Sequence, residues 1–268
     1  MDYGNRFRYY SRNSAGKYPM NAGEVRDAVL ASETVAERLR AFRNGRLADL
    51  AAGETPVNFS GVATVVLHVM PLAAFDVPAP SVDLSAARRS PKGFLPIGTG
   101  GNYTYNFDGL LIHSATRVYG DAASRLPESY ALLLRSGVVE AADSLILWPE
   151  ADGPIIPSVL FEGELLTAVH MYLAMMSYLG IEGPVYIALS LLGVEGYEMA
   201  AGRRRYSGAH PVDRDALVVP EVMAADPGLD REAVDHLMRP VFDHVWNACG
   251  YAGSPYYDER DRWDGDRR

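Results

Sequence analysis

The sequence predicts an α+β (mixed α/β) fold, with a central sheet of roughly four to six strands packed by three main helical segments. Three observations lead there. Short runs rich in β-branched and apolar residues, such as Thr64–Met70 (TVVLHVM), have strand length and stop at turn residues. Longer stretches opening at Asn21, Ser158 and Asp230 repeat their apolar residues at three- and four-residue steps, the helical period. The two kinds of segment interleave, with no internal repeat and no long linker to divide the chain. Hydrophobic residues at 48% and charged residues at 22% of 268 give the balance of a globular chain long enough to bury a substantial core.

The first element raises a chemical question, because Arg8–Met20 (RYYSRNSAGKYPM) ends a short polar turn in Gly16-Lys17. A phosphate loop of the form G-x-x-x-x-G-K-[ST] needs its first glycine for a tight turn and its last hydroxyl for magnesium. Ser11 and Tyr18 occupy those two positions, and Pro19 biases Tyr18 away from the helix start that would hold a phosphate. The segment is therefore expected to be the end of a strand at Arg8–Ser11 and a turn at Asn13–Gly16, stiffened at its exit by Pro19.

From Asn21 to Ala52, Val25, Val29, Ala36, Leu39, Phe42, Leu47 and Leu50 form one apolar stripe, with Asn21 as N-cap and Glu24 three residues later. Arg40 falls at the edge of that stripe, but Arg43 and Arg46 fall on its apolar side. A helix break at Gly45 or an internal ion pair is expected to accommodate them ahead of a ligand site. Thr64–Met70 follows as a buried strand ended by Pro71, with His68 as a satisfied core side chain. Residues 76–101 read as a connection carrying a short helix at Val82–Arg88. Its Gly98-Thr99-Gly100-Gly101 run leads into strand-like Tyr103-Thr104-Tyr105, so it is a strand connection and not a phosphate turn.

Gly109–Ser114 and Tyr130–Ser136 are strands, whereas Val138–Trp148 mixes apolar and acidic residues and fits helix or strand equally. Ser158–Leu179 is a helix with Leu160, Leu165, Leu166, Val169, Tyr172, Leu173 and Met176 inward, Glu162 and Glu164 near its start and Gly180 as its stop. Strands are expected at Pro184–Val194 and Leu217–Val222. Asp230 caps the last helical region, and Pro240 predicts a kink or fresh start before Val241, Phe242, Val245, Trp246 and Cys249. The tail from Tyr256 is charged and expected to be loosely held unless Trp263 anchors it.

Chemistry is bounded by what is scarce. A net charge of −9 opposes whole-molecule attraction to nucleic acid or an anionic membrane, leaving local basic patches at Arg38, Arg40, Arg43 and Arg46 and at Arg203-Arg204-Arg205. The single cysteine, Cys249, excludes an intramolecular disulfide and fits a reducing compartment. With no signal-like opening and apolar runs such as Tyr186–Val194 too short for a bilayer, a cytoplasmic protein without a membrane partner is expected. The six histidines are scattered, and His236 and His244 lack a third ligand, so neither a metal nor any other cofactor is expected. No G-x-S-x-G elbow is present, and Cys249 on an apolar stripe reads as an inert thiol. Asp108, His113, Glu162, Glu164 and His170 could do acid–base work only if the fold made them converge. The remaining candidate is an anion-binding face for phosphate or nucleic acid built from Arg12, Lys17, Arg38, Arg43 and Arg46.

The segments RNSAGKYPM, ERLRAFRNGRLA, NFDGLL, SLLGV and RPVFDHVWNACG, in this order, resemble the region downstream of the AlbA-type domain in bacterial Schlafen-like proteins, often described as DNA-binding or ATP-binding. The resemblance covers most of Arg8–Trp263 and includes no catalytic signature. It implies that residues 1–20 are the exit from an upstream AlbA-type domain that this chain lacks, 21–255 a single mixed α/β domain and 256–268 a charged tail. It further implies a non-catalytic accessory domain that regulates, recognises a protein partner or oligomerises, with nucleic acid bound through the associated AlbA-type domain. Two alternatives stand beside it: a stand-alone hydrolase or nucleotide-processing enzyme with a site built from scattered acids and histidines, and a structural dimerisation module.

Overall fold

A computed structural model describes residues 10–13, 16–19, 22–57, 63–91, 93–114, 128–147, 153–200 and 210–265. The chain divides into two compact units, residues 1–46 and 47–268. In the first, β1 (Tyr10–Asn13) and β2 (Gly16–Pro19) form an antiparallel hairpin with Asn13 opposite Gly16 and Arg12 opposite Lys17. The Gly16-Lys17 sequence is thus the start of a return strand. Helix α1 (Ala22–Ala51) runs unbroken through Gly45, contrary to the break expected there. A Cβ at Gly45 would meet nothing within 4 Å, so no packing favours a break against the roughly 1 kcal/mol that a helical glycine costs. Leu39 and Arg43 are buried on this helix, while Arg38 and Arg40 are exposed.

The second unit is built on an eight-stranded sheet. It comprises β3 (Thr64–Pro71), β4 (Gly101–Tyr105), β5 (Gly109–Ser114), β6 (Ser129–Leu134), β7 (Val139–Asp143), β9 (Val185–Leu192), β11 (Ala216–Val218) and β12 (Val222–Ala224). The order is β11-β9-β3-β7-β6-β5-β4, with β12 also on β9, and every pairing is antiparallel. A separate parallel pair, β8 (Ile155–Pro157) with β10 (Glu198–Ala200), leads into α3 (Ser158–Tyr178). The architecture is α+β as predicted, with more strands than the four to six expected. The surplus comes from the one strand expected at Leu217–Val222, which Val219-Pro220-Glu221 divides into β11 and β12, and from β7, whose acids masked its period.

All eight residues of β3 are buried, because both faces of the sheet are covered there. Val65, Leu67 and Val69 join one large core with Phe161, Leu165, Val169 and Leu173 of α3 and Val241, Phe242 and Val245 of α4 (Arg231–Ala248). On the opposite face Leu111, Tyr130, Leu132 and Ala142 pack with Leu50 and Val57. Among the described residues α3 is the one helix long and apolar enough to cross a membrane, and its apolar side is spent on this core. Gly180, at φ 73°, ends it: the Ile181 amide donates to the Met176 carbonyl, closing the helix with a left-handed residue that favours glycine. Leu160, predicted inward, is 49% exposed, and Phe161 takes the inward position.

Helix α4 continues through Pro240 without the predicted restart. Pro240 lies on the exposed side, where water can satisfy the carbonyl it leaves unbonded, while Met238, Val241, Phe242, Val245 and Trp246 hold the helix to the core across it. The short helix α2 (Leu84–Arg88) is capped by Asp83, whose carboxylate accepts from the Ser85 and Ala86 amides. Two glycines, Gly101 and Gly109, have no latitude at all, each lying against a neighbouring backbone carbonyl. A Cβ on Gly109 would overlap the Leu133 carbonyl of the neighbouring strand. Gly109→Ala is therefore expected to cost about 3 kcal/mol or more through a backbone shift, read as a lower urea midpoint. Gly100→Ala, where a Cβ would meet nothing within 4 Å, is the near-neutral control.

Candidate functional site

The five basic candidates do not all share one exposed face. Arg12 and Lys17 are cross-strand partners in the β1–β2 hairpin. On α1, Arg38 is exposed, Arg46 half-buried and Arg43 only 3% exposed. The five-residue step from Arg38 to Arg43 turns about 140° around a helix, which separates them. Arg203-Arg204-Arg205 lie outside the described residues.

The acid–base candidates are dispersed by the fold. Asp108 sits in the two-residue tip of the β4–β5 hairpin, where its amide and that of Gly109 donate to Asn106 Oδ1. His113 Nδ1 lies 3.1 Å from the Ser114 carbonyl oxygen. His170 is half-buried on α3. Glu162 and Glu164 are two residues apart on α3, a spacing that points them in different directions. Cys249 is fully buried, and burial pushes its thiol up to about 11, away from reactivity at neutral pH. Both α4 histidines meet backbone oxygens, His236 Nε2 that of Arg260 and His244 Nδ1 that of Pro240, each at 2.6 Å.

Glu162 is the most heavily wired of these acids. Its Oε1 accepts from Trp246 Nε1 at 2.6 Å, and its Oε2 accepts from Trp263 Nε1 at 2.6 Å and Ser254 Oγ at 2.9 Å. Burial pushes its carboxyl up to about 7, against the three hydrogen bonds that favour the charged form. The same contacts fasten the C-terminal segment. Trp263 lies over Gly163, where a Cβ would approach its ring to 3.1 Å, and its amide donates to Asp235 Oδ2. The Tyr256 and Ser158 hydroxyls pair at 2.9 Å, and Arg239 bridges Asp261 while covering the Tyr257 ring. Trp263 thus anchors the segment whose charge alone predicted looseness.

Two further groups were hidden in the strands. His68 on β3 is directly opposite Glu140 on β7, and His68 Nε2 lies 3.1 Å from Glu140 Oε2. The other carboxylate oxygen accepts from the Tyr130 hydroxyl at 2.9 Å, and all three residues are fully buried. The only sequence trace was alternation, which places residues two apart in a strand on one face. Asp143, at the end of β7, accepts from the Leu145 and Ile146 amides on Oδ1 and makes no hydrogen bond through its buried Oδ2. Burial pushes it up to about 6, with a smaller contribution from the Glu164 charge.

Asp143 is opposite Ser129, whose hydroxyl reaches the Ile97 carbonyl in the loop between α2 and β4. That loop and α3 enclose a cleft of about 370 Å³, lined by Leu95, Gly98, Thr99, Glu164, Thr167 and Met171 among others. A second hollow of about 510 Å³ opens beside β11 and α4 around Asp213, Arg214, Val218, Pro220, His244 and Asn247, with Arg214 held by Asp213 at 2.7 Å. No group of three His, Cys, Asp or Glu side chains that could hold a metal occurs among the described residues. No family model, no curated protein and no solved structure matches this chain.

Proposed function

We propose that the chain is a non-catalytic accessory domain that recognises a protein partner, in line with its resemblance to the C-terminal region of Schlafen-like AlbA-type proteins. The observation that supports this is the use made of the interior acids. Glu162 holds two tryptophans and a serine together, and Glu140 ties a histidine to a tyrosine, so each carboxylate serves as a fastener between distant parts of the chain. A general acid or base must instead reach a substrate within hydrogen-bond distance.

The hydrolase reading is favoured by one feature, the buried Asp143 carboxyl, whose Oδ2 makes no close hydrogen bond and which feels the Glu164 charge. Calorimetric titration of the purified chain with an AlbA-type protein encoded beside it separates the two. The accessory reading expects micromolar binding that Asp143→Asn leaves unchanged. Lack of such a gene, lack of heat on mixing, or turnover of a phosphodiester or nucleotide that disappears with Asp143→Asn would sink it.

A further inference from the structure

Strand β4 ends the sheet on one side, and its sequence does nothing to protect that edge. From Gly101 to Phe107 there is no lysine, arginine, acid or proline, the devices that natural edges use against pairing. The hairpin closes with the Asn106 amide donating to the Gly109 carbonyl. Hydrogen-bonded positions alternate in an antiparallel ladder, so Asn102, Thr104 and Asn106 bond inward to β5. Gly101, Tyr103 and Tyr105 accordingly turn their backbone groups to the open side. At the tip Phe107 is 93% exposed, and Tyr105 is 51% exposed.

We infer that this edge is the interface of a two-fold symmetric homodimer, in which β4 pairs antiparallel with β4 of a second copy about Tyr103. That register alone uses every outward position: Tyr103 faces Tyr103, and Gly101 faces Tyr105 twice, for about six backbone hydrogen bonds. It also brings Phe107 opposite Thr99 of the other copy. Thr99 lines the 370 Å³ cleft with Leu95 and Met171, so an exposed phenyl group and an unfilled apolar hollow become each other's partners. Tyr103, at the centre of this register, packs into the α3 side of the sheet, the side on which α3 residues line the cleft.

Charge agrees as well. Arg135 donates to the Phe107 and Asn106 carbonyls, which puts a guanidinium at the hairpin tip. Glu164 lines the cleft that receives this tip and makes no ion pair among the described residues. Asp108, the tip's own acid, approaches the same region, and Arg135 offsets it. A short ladder and two phenyl groups amount to a small interface, which sets the dissociation constant in the micromolar range.

The interface goes beyond the partner-recognition reading, because its partner is a second copy of this chain and not the AlbA-type protein of that reading. A chain that dimerises but ignores every AlbA-type protein fails that reading and keeps the interface; a monomer that still binds one does the reverse.

Sedimentation equilibrium between about 1 and 200 μM is expected to show the mass rise from 29.3 kDa towards twice that value. Phe107→Asp, at a solvent-exposed position, is expected to weaken association at least about tenfold with an unchanged melting temperature. Arg135→Glu should weaken it and Glu164→Arg in the same chain restore it. The register has its own test. With Asn102→Cys and Thr104→Cys together, mild oxidation should give a covalent dimer, because those positions face each other across the two-fold; Thr104→Cys alone should not, its two copies being beyond disulfide reach. A monomer at the highest concentration, or association indifferent to Phe107→Asp, overturns the interface, and efficient linking through Thr104→Cys alone overturns the register.

Discussion

Replacing Glu162 with alanine is expected to lower the unfolding free energy by about 4 kcal/mol, with a melting point about 10 °C lower. The substitution leaves the indole N–H groups of Trp246 and Trp263 without their acceptor and opens a void between α3, α4 and the C-terminal segment. Indole nitrogen only donates, so neither tryptophan can find a substitute in its neighbour. Glu162→Gln should cost about half as much, since its amide keeps one acceptor but turns an N–H towards a donor. The loss is also pH-dependent. Glu162 and Asp143 both titrate higher in the folded chain than their ordinary values, Glu162 at about 7 and Asp143 at about 6. The folded state therefore binds the extra protons, and the contribution is full below about pH 4 and is lost as pH rises through 6 and 7. Asp83, Asp213 and the half-buried Asp258, held low by hydrogen bonds, act in the opposite sense and lose their contribution as pH falls below about 4. Urea midpoints should thus peak near about pH 4 and fall towards about pH 7, and the Glu162→Ala deficit should shrink towards pH 8. A deficit that grew with pH would contradict the assignment.

Glu140→Ala is expected to be comparably severe, about 3–5 kcal/mol, because it removes the carboxylate that both His68 and Tyr130 meet inside the sheet, where all three are fully buried. Glu140→Gln separates structure from charge. Its carbonyl still accepts from the tyrosine and its amide can donate to the imidazole in the tautomer with a free Nε2, so a loss of only about 1 kcal/mol is expected in chemical denaturation. If the glutamine variant proved as damaged as the alanine variant, the carboxylate's charge and not its hydrogen bonding would be the group's purpose.

The contrast between these two acids shows what the sequence could reveal. Helix α3 was legible from Leu165, Leu166, Val169, Tyr172, Leu173 and Met176, and its end from Gly180, because period and cap are local properties. Glu162 was legible only as an acid in an early helical turn; that Trp246, 84 residues on, and Trp263, 101 residues on, would close over it depends on tertiary packing. Strand β7 stayed undecided between helix and strand for the same reason. Its Glu140 and Asp143 look like solvent-facing residues until His68 and the loop amides are brought to them from elsewhere. Pro240 and Gly45 misled in the other direction, since each lies on a solvent side where a local defect is tolerated. The cleft near Glu164 left no trace, being made by a loop and a helix more than 60 residues apart.

The strand order carries a kinetic consequence. From β4 to β7 each strand pairs with the next along the chain, so this meander closes through local connections, short at its first and last steps and fourteen residues long between β5 and β6. β3 stands apart: Val66 is opposite Ala142 on one side and Ser190 on the other, so its two ladders wait on segments about 75 and 125 residues downstream. The central strand is therefore among the last to find both neighbours, and the barrier to folding is the entropy of closing those two excursions around a meander already in place.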